Sequence, residues 1–178
     1  MSASAATGPA ILLVDDNPHD VVLLRLAFRR VGIIDPIKLV KDGADAVRYL
    51  KGEGVFADRH AFPAPTLMLL DLNMPQTSGF EVLRWVREQP AFRTLAVIVM
   101  SGSKETADVQ RAYGLGADSY LVKPTRFSDL LKITQSLKSY YAMTEEGASK
   151  LRGSPLGSLG LADSALNPVP TMGGVTLR

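Results

Sequence analysis

The sequence predicts an α/β protein in which a parallel sheet is covered by helices on both faces. Three observations predict it. Short apolar runs alternate with stretches of helical periodicity from residue 11 to residue 141, the pattern of βα units wound into one sheet. The runs are three to six residues long and bounded by Gly, Pro or charged residues, as buried strands are. Polar groups of matching chemistry follow four of the five runs, where a parallel sheet places its ligands.

The elements follow in order. Residues 11–14 form the first strand candidate, and Asp15 and Asp16 come straight after it. Asn17 is a helix cap and Pro18 suits a first helical turn. Val21, Leu24, Leu26 and Phe28, with Arg25, Arg29 and Arg30 among them, give that first helix an amphipathic spacing. Residues 37–40 are the second strand candidate, and a helix begins near Gly43. Residues 52–65 form a long irregular connection, either functional or merely tolerated at a surface. The third strand, 67–70, empties into a loop running from Asp71 through Asn73 and Pro75 to Gly79. The helix that starts at Gly79 carries Val82, Leu83, Trp85 and Val86, and Pro90 marks its end. Residues 95–100 are the fourth strand candidate, with Ser101 behind it and a helix from near Lys104. Residues 120–122 are the fifth, followed by Lys123 and Pro124 and by a last helix from Ser128.

Composition bounds the rest. A chain of 178 residues suffices for one domain with a sizeable core and is short for two. A net charge of +2 is too small to argue for nucleic acid, and no run approaches the length of a membrane span. The absence of cysteine excludes disulfides, thiolate metal sites and cysteine nucleophiles. Residues 1–9 lack the basic start and apolar middle of a signal peptide, so a cytoplasmic protein is expected. The expected division is a flexible N-terminus at 1–9, a folded domain at 10–142, and a tail at 143–178. That tail is rich in Gly, Ser and Pro, cannot build a core, and is expected to be disordered.

The groups past the strand ends have a chemical logic. Asp15, Asp16 and Asp71 would repel one another on converging unless a cation stood among them. Hard divalent cations take oxygen ligands, and Mg2+ is commonly held by one or two carboxylates plus phosphate oxygens. Lys123 is a long point charge suited to a phosphate or to a carboxylate, and Ser101 adds a hydroxyl. The set suggests phosphoryl transfer with an aspartate as acceptor. Each residue alone has a plainer reading: Asp15 or Asp16 as a helix cap, Asp71 as a turn carboxylate, Ser101 as a strand end, Lys123 as a surface lysine, Tyr120 as core. His19 and His60 read as surface or loop residues.

Five segments resemble, in order, the receiver domains of two-component response regulators. They are residues 13–18 (LVDDNP), residues 69–75 (LLDLNMP) with Gly79, residues 101–103 (SGS), residues 114–120 (GLGADSY), and Lys123-Pro124. The resemblance covers about residues 11–141 and is most similar to regulators paired with bacterial phytochromes. It implies a flavodoxin-like, doubly wound (βα)5 fold with strand order 2-1-3-4-5. It implies Asp71 as phosphoacceptor from a sensor histidine kinase. It also implies Mg2+ held by Asp16 and Asp71, by the backbone carbonyl of Asn73, and by Asp15 mainly through water. Lys123 would bridge Asp71 and later a phosphoryl oxygen, Ser101 would bond another, and Tyr120 would swing inward as Ser101 moves. Asn73 and Ser103 stand where family members tune hydrolysis of the acyl phosphate. A cis peptide at Lys123–Pro124 is implied as well.

The expected output is protein binding by a single-domain response regulator, with an unidentified downstream protein as partner and neither nucleic acid nor membrane. Members of the group often dimerise through the fourth helix, fifth strand and fifth helix or nearby surfaces, so a homodimer is within the expectation. The chain would be a phosphoacceptor with self-phosphorylation and self-dephosphorylation rather than an enzyme. Two rival classes stand beside this reading. A haloacid dehalogenase-type phosphatase would want a second aspartate where Asn73 stands, and a degenerate receiver would act as a binding module without the chemistry.

Overall fold

A computed structural model describes residues 10–33 and 37–147, with side chains described to residue 139. Five strands alternate with five helices: β1 (Ala10–Val14), α1 (Pro18–Arg30), β2 (Ile37–Val40), α2 (Gly43–Lys51), β3 (Pro65–Leu70), α3 (Gly79–Glu88), β4 (Ala96–Ser101), α4 (Thr106–Gly114), β5 (Ser119–Val122) and α5 (Phe127–Gly147). The strands form one parallel sheet in the order β2-β1-β3-β4-β5. This is the expected doubly wound fold.

The strands read as continuous apolar runs because both faces are covered. Alternation at period two then divides the core. Leu12, Val14, Met68, Leu70, Val97, Val99 and Tyr120 pack under α2, α3 and α4. Ile11, Leu13, Leu67, Leu69, Ile98, Met100 and Leu121 pack under α1 and α5. In α1 the buried face is Val21, Leu24, Ala27 and Phe28. Leu26, expected on the apolar stripe, is instead 44% exposed, because the 3.6-residue period turns it away from that face.

Several boundaries moved. Helix α4 begins at Thr106 rather than near Lys104, since the Ser103 hydroxyl accepts the Glu105 amide and holds a turn there. Leu95 falls outside β4; its amide bonds the Phe92 carbonyl in a turn. The Lys123–Pro124 peptide is trans, against expectation. The two X–Pro isomers differ by only about 0.5–1 kcal/mol, so resemblance in sequence does not fix the choice. The expected tail starts later than residue 143, because α5 runs on to Gly147; the expected segment 1–9 and residues 148–178 lie outside the described residues.

Residues 52–65 connect α2 to β3 at the edge of the sheet where β3 starts, opposite the strand ends that carry the polar groups. Tyr49, Phe56 and Phe62 pack ring against ring with centroids 5.3–6.0 Å apart. The Arg59 guanidinium donates to the Tyr49 and Leu50 carbonyls and so caps the end of α2. The connection is therefore a packed cover for the core. No helix among the described residues is long and apolar enough to cross a membrane.

Candidate functional site

The sheet ladder runs one residue past its strands and pins the backbone of the site. The Asp15 amide donates to the Val40 carbonyl, that of Asp71 to Val14, and that of Lys123 to Ser101. Asp15, Asp71 and Lys123 thus leave the carboxyl edge of β1, β3 and β5 in fixed positions, with Ser101 ending β4 between them. Asp15, Asp71 and Ser101 are buried, and Asp16 and Asn73 are exposed at the rim.

Gly79 explains how α3 reaches the site. Its amide donates to the Leu72 carbonyl at 3.1 Å, and a Cβ there would meet the Asp71 carbonyl oxygen. Only glycine allows so close an approach. A capping box then starts the helix, with Glu81 accepting from the Ser78 amide. That bond holds the Glu81 carboxyl below its ordinary pKa.

The Lys123 ammonium is the electrostatic centre. Its Nζ donates to Asp71 Oδ2 at 2.7 Å, and to Asp15 Oδ2 and Asp20 Oδ2 at 2.8 Å each. Burial alone would lower the lysine pKa, but three charge-assisted hydrogen bonds outweigh it and hold the pKa above the ordinary value. For Asp15, burial is the largest influence and raises the pKa, against the lowering by Lys123 and by the Asn17 amide.

Asp15, Asp16 and Asp71 converge, each offering a carboxylate oxygen within 4.8 Å of the others. Asp15 Oδ1 accepts from the Asn17 amide at 2.9 Å and Asp71 Oδ1 from the Asn73 amide at 3.1 Å. These bonds to neighbouring backbone orient the carboxylates without blocking every lone pair. An all-oxygen cluster with excess negative charge fits a hard divalent cation.

Ser101 is fully buried, and its Oγ accepts from the Ser103 amide at 3.2 Å. The Asn73 side-chain amide makes a longer, 3.4 Å contact to the same oxygen. Tyr120 is 2% exposed and lies in the core beneath α4. Its hydroxyl donates to the Ser103 carbonyl at 3.0 Å, and burial raises its pKa. Ser103 in turn donates to Asp108 at 2.6 Å, tying the loop to α4.

All seven residues expected at the site therefore lie at this edge of the sheet or in the core directly beside it. Asp20 was missed. An acidic residue in the first turn of a helix has a sufficient local reason in the helix dipole, so nothing in the sequence demanded a partner for it. His19 and His60 are exposed, as expected.

Comparison with known proteins bears on the family and the fold. The response regulator receiver domain family matches residues 11–135. The probable methanogenesis regulatory protein FilR2 of Methanothrix harundinacea is 34% identical over 131 residues, 74% of this chain and 82% of its own length. Response regulator Rcp1 of Synechocystis sp. is 31% identical over 144 residues, 81% of this chain and 96% of its own. A crystal structure of its Mn2+-bound form matches with TM-score 0.65 at 31% identity, over 75% of this chain and 94% of that one. The phosphorylated cyanobacterial phytochrome response regulator RcpA matches with TM-score 0.70 at 31% identity, over 78% of this chain and 96% of its own. The expected likeness to phytochrome response regulators is thus present, and receiver domains are phosphoacceptor modules of phosphorelays. With the model of that family matching most of its length, the chain belongs to the response regulator receiver domains.

Proposed function

We propose that Asp71 accepts a phosphoryl group from a phosphohistidine of a sensor kinase, and that the resulting acyl phosphate switches the chain's binding to a downstream protein. The observation that carries this reading is the buried Asp71 carboxylate, joined to Lys123 at 2.7 Å beside two further aspartates. In the transfer, an Asp71 oxygen attacks phosphorus in line, the P–N bond breaks, and the imidazole leaves with its electron pair and takes up a proton. Asp16, Asp71 and the Asn73 backbone carbonyl would hold Mg2+ directly, and Asp15 mainly through water. Mg2+ would neutralise charge developing on the phosphoryl oxygens. Lys123 follows the phosphoryl oxygen, and Ser101 donates to another.

The added charge of about −1.5 to −2, typical of phosphorylated side chains, draws Ser101 and Lys123 inward. The pull reaches the Ser103 carbonyl, on which the Tyr120 hydroxyl rests, and so reaches α4. The partner kinase under this reading is a bacteriophytochrome or similar sensor, in keeping with the RcpA likeness, and the chain works in the cytoplasm, alone or as a homodimer. Residues 10–147, through the end of α5, would carry the activity, with 1–9 and 148–178 as appendages.

The test is the intact mass of the protein after incubation with acetyl phosphate, with and without Mg2+, beside Asp71→Asn. A base-labile phosphoryl adduct that requires both Mg2+ and Asp71 supports the reading. An adduct of equal yield in Asp71→Asn would sink it.

A further inference from the structure

We propose that Asp20 is a positioning residue for Lys123, keeping its ammonium at the site when a divalent cation takes Asp15 and Asp71. The inference rests on the reading above that Mg2+ binds at the Asp15, Asp16 and Asp71 cluster, to Asp71 directly and to Asp15 mainly through water.

An ammonium has three N–H donors and no acceptor, and on Lys123 all three are in use. Two of the acceptors, Asp15 and Asp71, belong to the carboxylate cluster that fits a cation. A dication bound there draws on the same two carboxylates and repels the ammonium at short range. Lys123 would then hold its place against like charge with its anchors weakened. Asp20 is the third anchor and lies outside the cluster.

Its placement suits the task. Asp20 stands in the first turn of α1, which the Asn17 side chain caps by accepting from the His19 amide. Its carboxylate therefore comes from a fixed helix start, and rigid elements hold a functional group better than loops do. Its side chain is 35% exposed, against 5% for Asp15 and 7% for Asp71, so Asp20 binds Lys123 from the outer side. With Asp20 present, cation and lysine can occupy the site together. Without it, each must displace the other.

A helix-dipole role for Asp20 would predict lost stability and no special link to Lys123. The test is a double-mutant cycle on the full chain, with Mg2+ affinity read by calorimetric titration in wild type, Asp20→Asn, Lys123→Gln and the double variant. Loss of Asp20 should weaken Mg2+ binding about fivefold when Lys123 is present and less than about twofold when it is not. An equal loss in both backgrounds would be the through-space effect of one missing charge and would overturn the proposal.

Lys123→Gln leaves two buried carboxylates without their cation, so a second measurement avoids that variant. The 15N-coupled ammonium resonance of Lys123 should survive Mg2+ saturation in the wild type and vanish on saturation in Asp20→Asn. Its survival in Asp20→Asn would overturn the proposal. No Mg2+ binding by the wild-type chain would overturn the metal reading and this inference with it, whereas normal binding without the Asp20–Lys123 coupling would remove this inference alone.

Discussion

A Cβ at Gly79 would stand 2.1 Å from the carbonyl oxygen of Asp71, so the first residue of α3 rests directly on the backbone of the central carboxylate. Neither side can yield cheaply. The Asp71 amide is tied to β1 through Val14, and the Gly79 amide is tied to Leu72. Gly79→Ala must therefore push α3 off the sheet or displace the loop that carries Asp71. Overpacking of this kind costs about 1–3 kcal/mol. The expected outcome is a lower denaturation midpoint together with slower adduct formation from acetyl phosphate. An unchanged midpoint would mean that the loop relaxes freely, and the close packing would then not be what places Asp71.

Asp16 separates metal binding from stability. It is exposed, and it is not among the three carboxylates on Lys123. Asp16→Ala should therefore leave folding stability within about 0.5 kcal/mol, as surface changes usually do. Mg2+ affinity should fall about tenfold, since the cluster loses one of its three carboxylates. Denaturant unfolding and Mg2+ titration on one preparation check both halves. Unchanged affinity would exclude Asp16 as a ligand.

Much of this architecture is legible in sequence, and the reason is physical. A parallel strand buried on both faces must be apolar along its whole length, so each run ends where its polar residue begins, as at Val14 with Asp15 and at Leu70 with Asp71. That end is also the ligand edge, so the same boundary marks fold and site. What stayed hidden depends on contacts between distant segments. Asp20 meets Lys123 across 103 residues, and its acidity already had a local explanation. Arg59 looks like an ordinary loop charge until α2 presents the carbonyls of Tyr49 and Leu50 to it. The exposure of Leu26 needed the helix phase, which a spacing of twos and threes leaves open.

Tyr49 gives the fold an alkaline limit. Its residue is 1% exposed, its hydroxyl donates to the Pro63 carbonyl, and burial pushes its pKa from 10.0 to about 12. Above pH 10 the unfolded tyrosine loses its proton while the folded one keeps it, so the unfolded state binds fewer protons and stability falls as pH rises. The loss accumulates between about pH 10 and pH 12 and reaches roughly 2–3 kcal/mol. Tyr49→Phe should unfold less steeply over that window, while losing about 1 kcal/mol at neutral pH for the missing hydrogen bond. Denaturant midpoints of the two proteins from pH 8 to pH 12 decide it. Parallel curves would show that Tyr49 does not titrate differently in the two states.

Lys123→Ala tests whether lysine and cation answer the same charge. Removing the ammonium leaves Asp15 and Asp71 buried without their counter-ion, and breaking a buried pair on one side costs about 3–5 kcal/mol. A dication can take over the compensation, because Asp15, Asp16 and Asp71 already converge. Mg2+ should therefore bind the variant more tightly than the wild type, and by mass action it should stabilise the variant more at equal concentration. The variant is expected to take a phosphoryl group with Mg2+ present, yet to show little change at the Ser103 and Tyr120 amides, since the cation that follows the phosphoryl oxygen is gone. Thermal shifts with increasing Mg2+ measure the first half and amide NMR the second. A Mg2+ shift no larger than that of the wild type would show that Lys123 and the metal do not compete for these carboxylates. A wild-type amide response in the variant would show that the signal reaches α4 without the lysine.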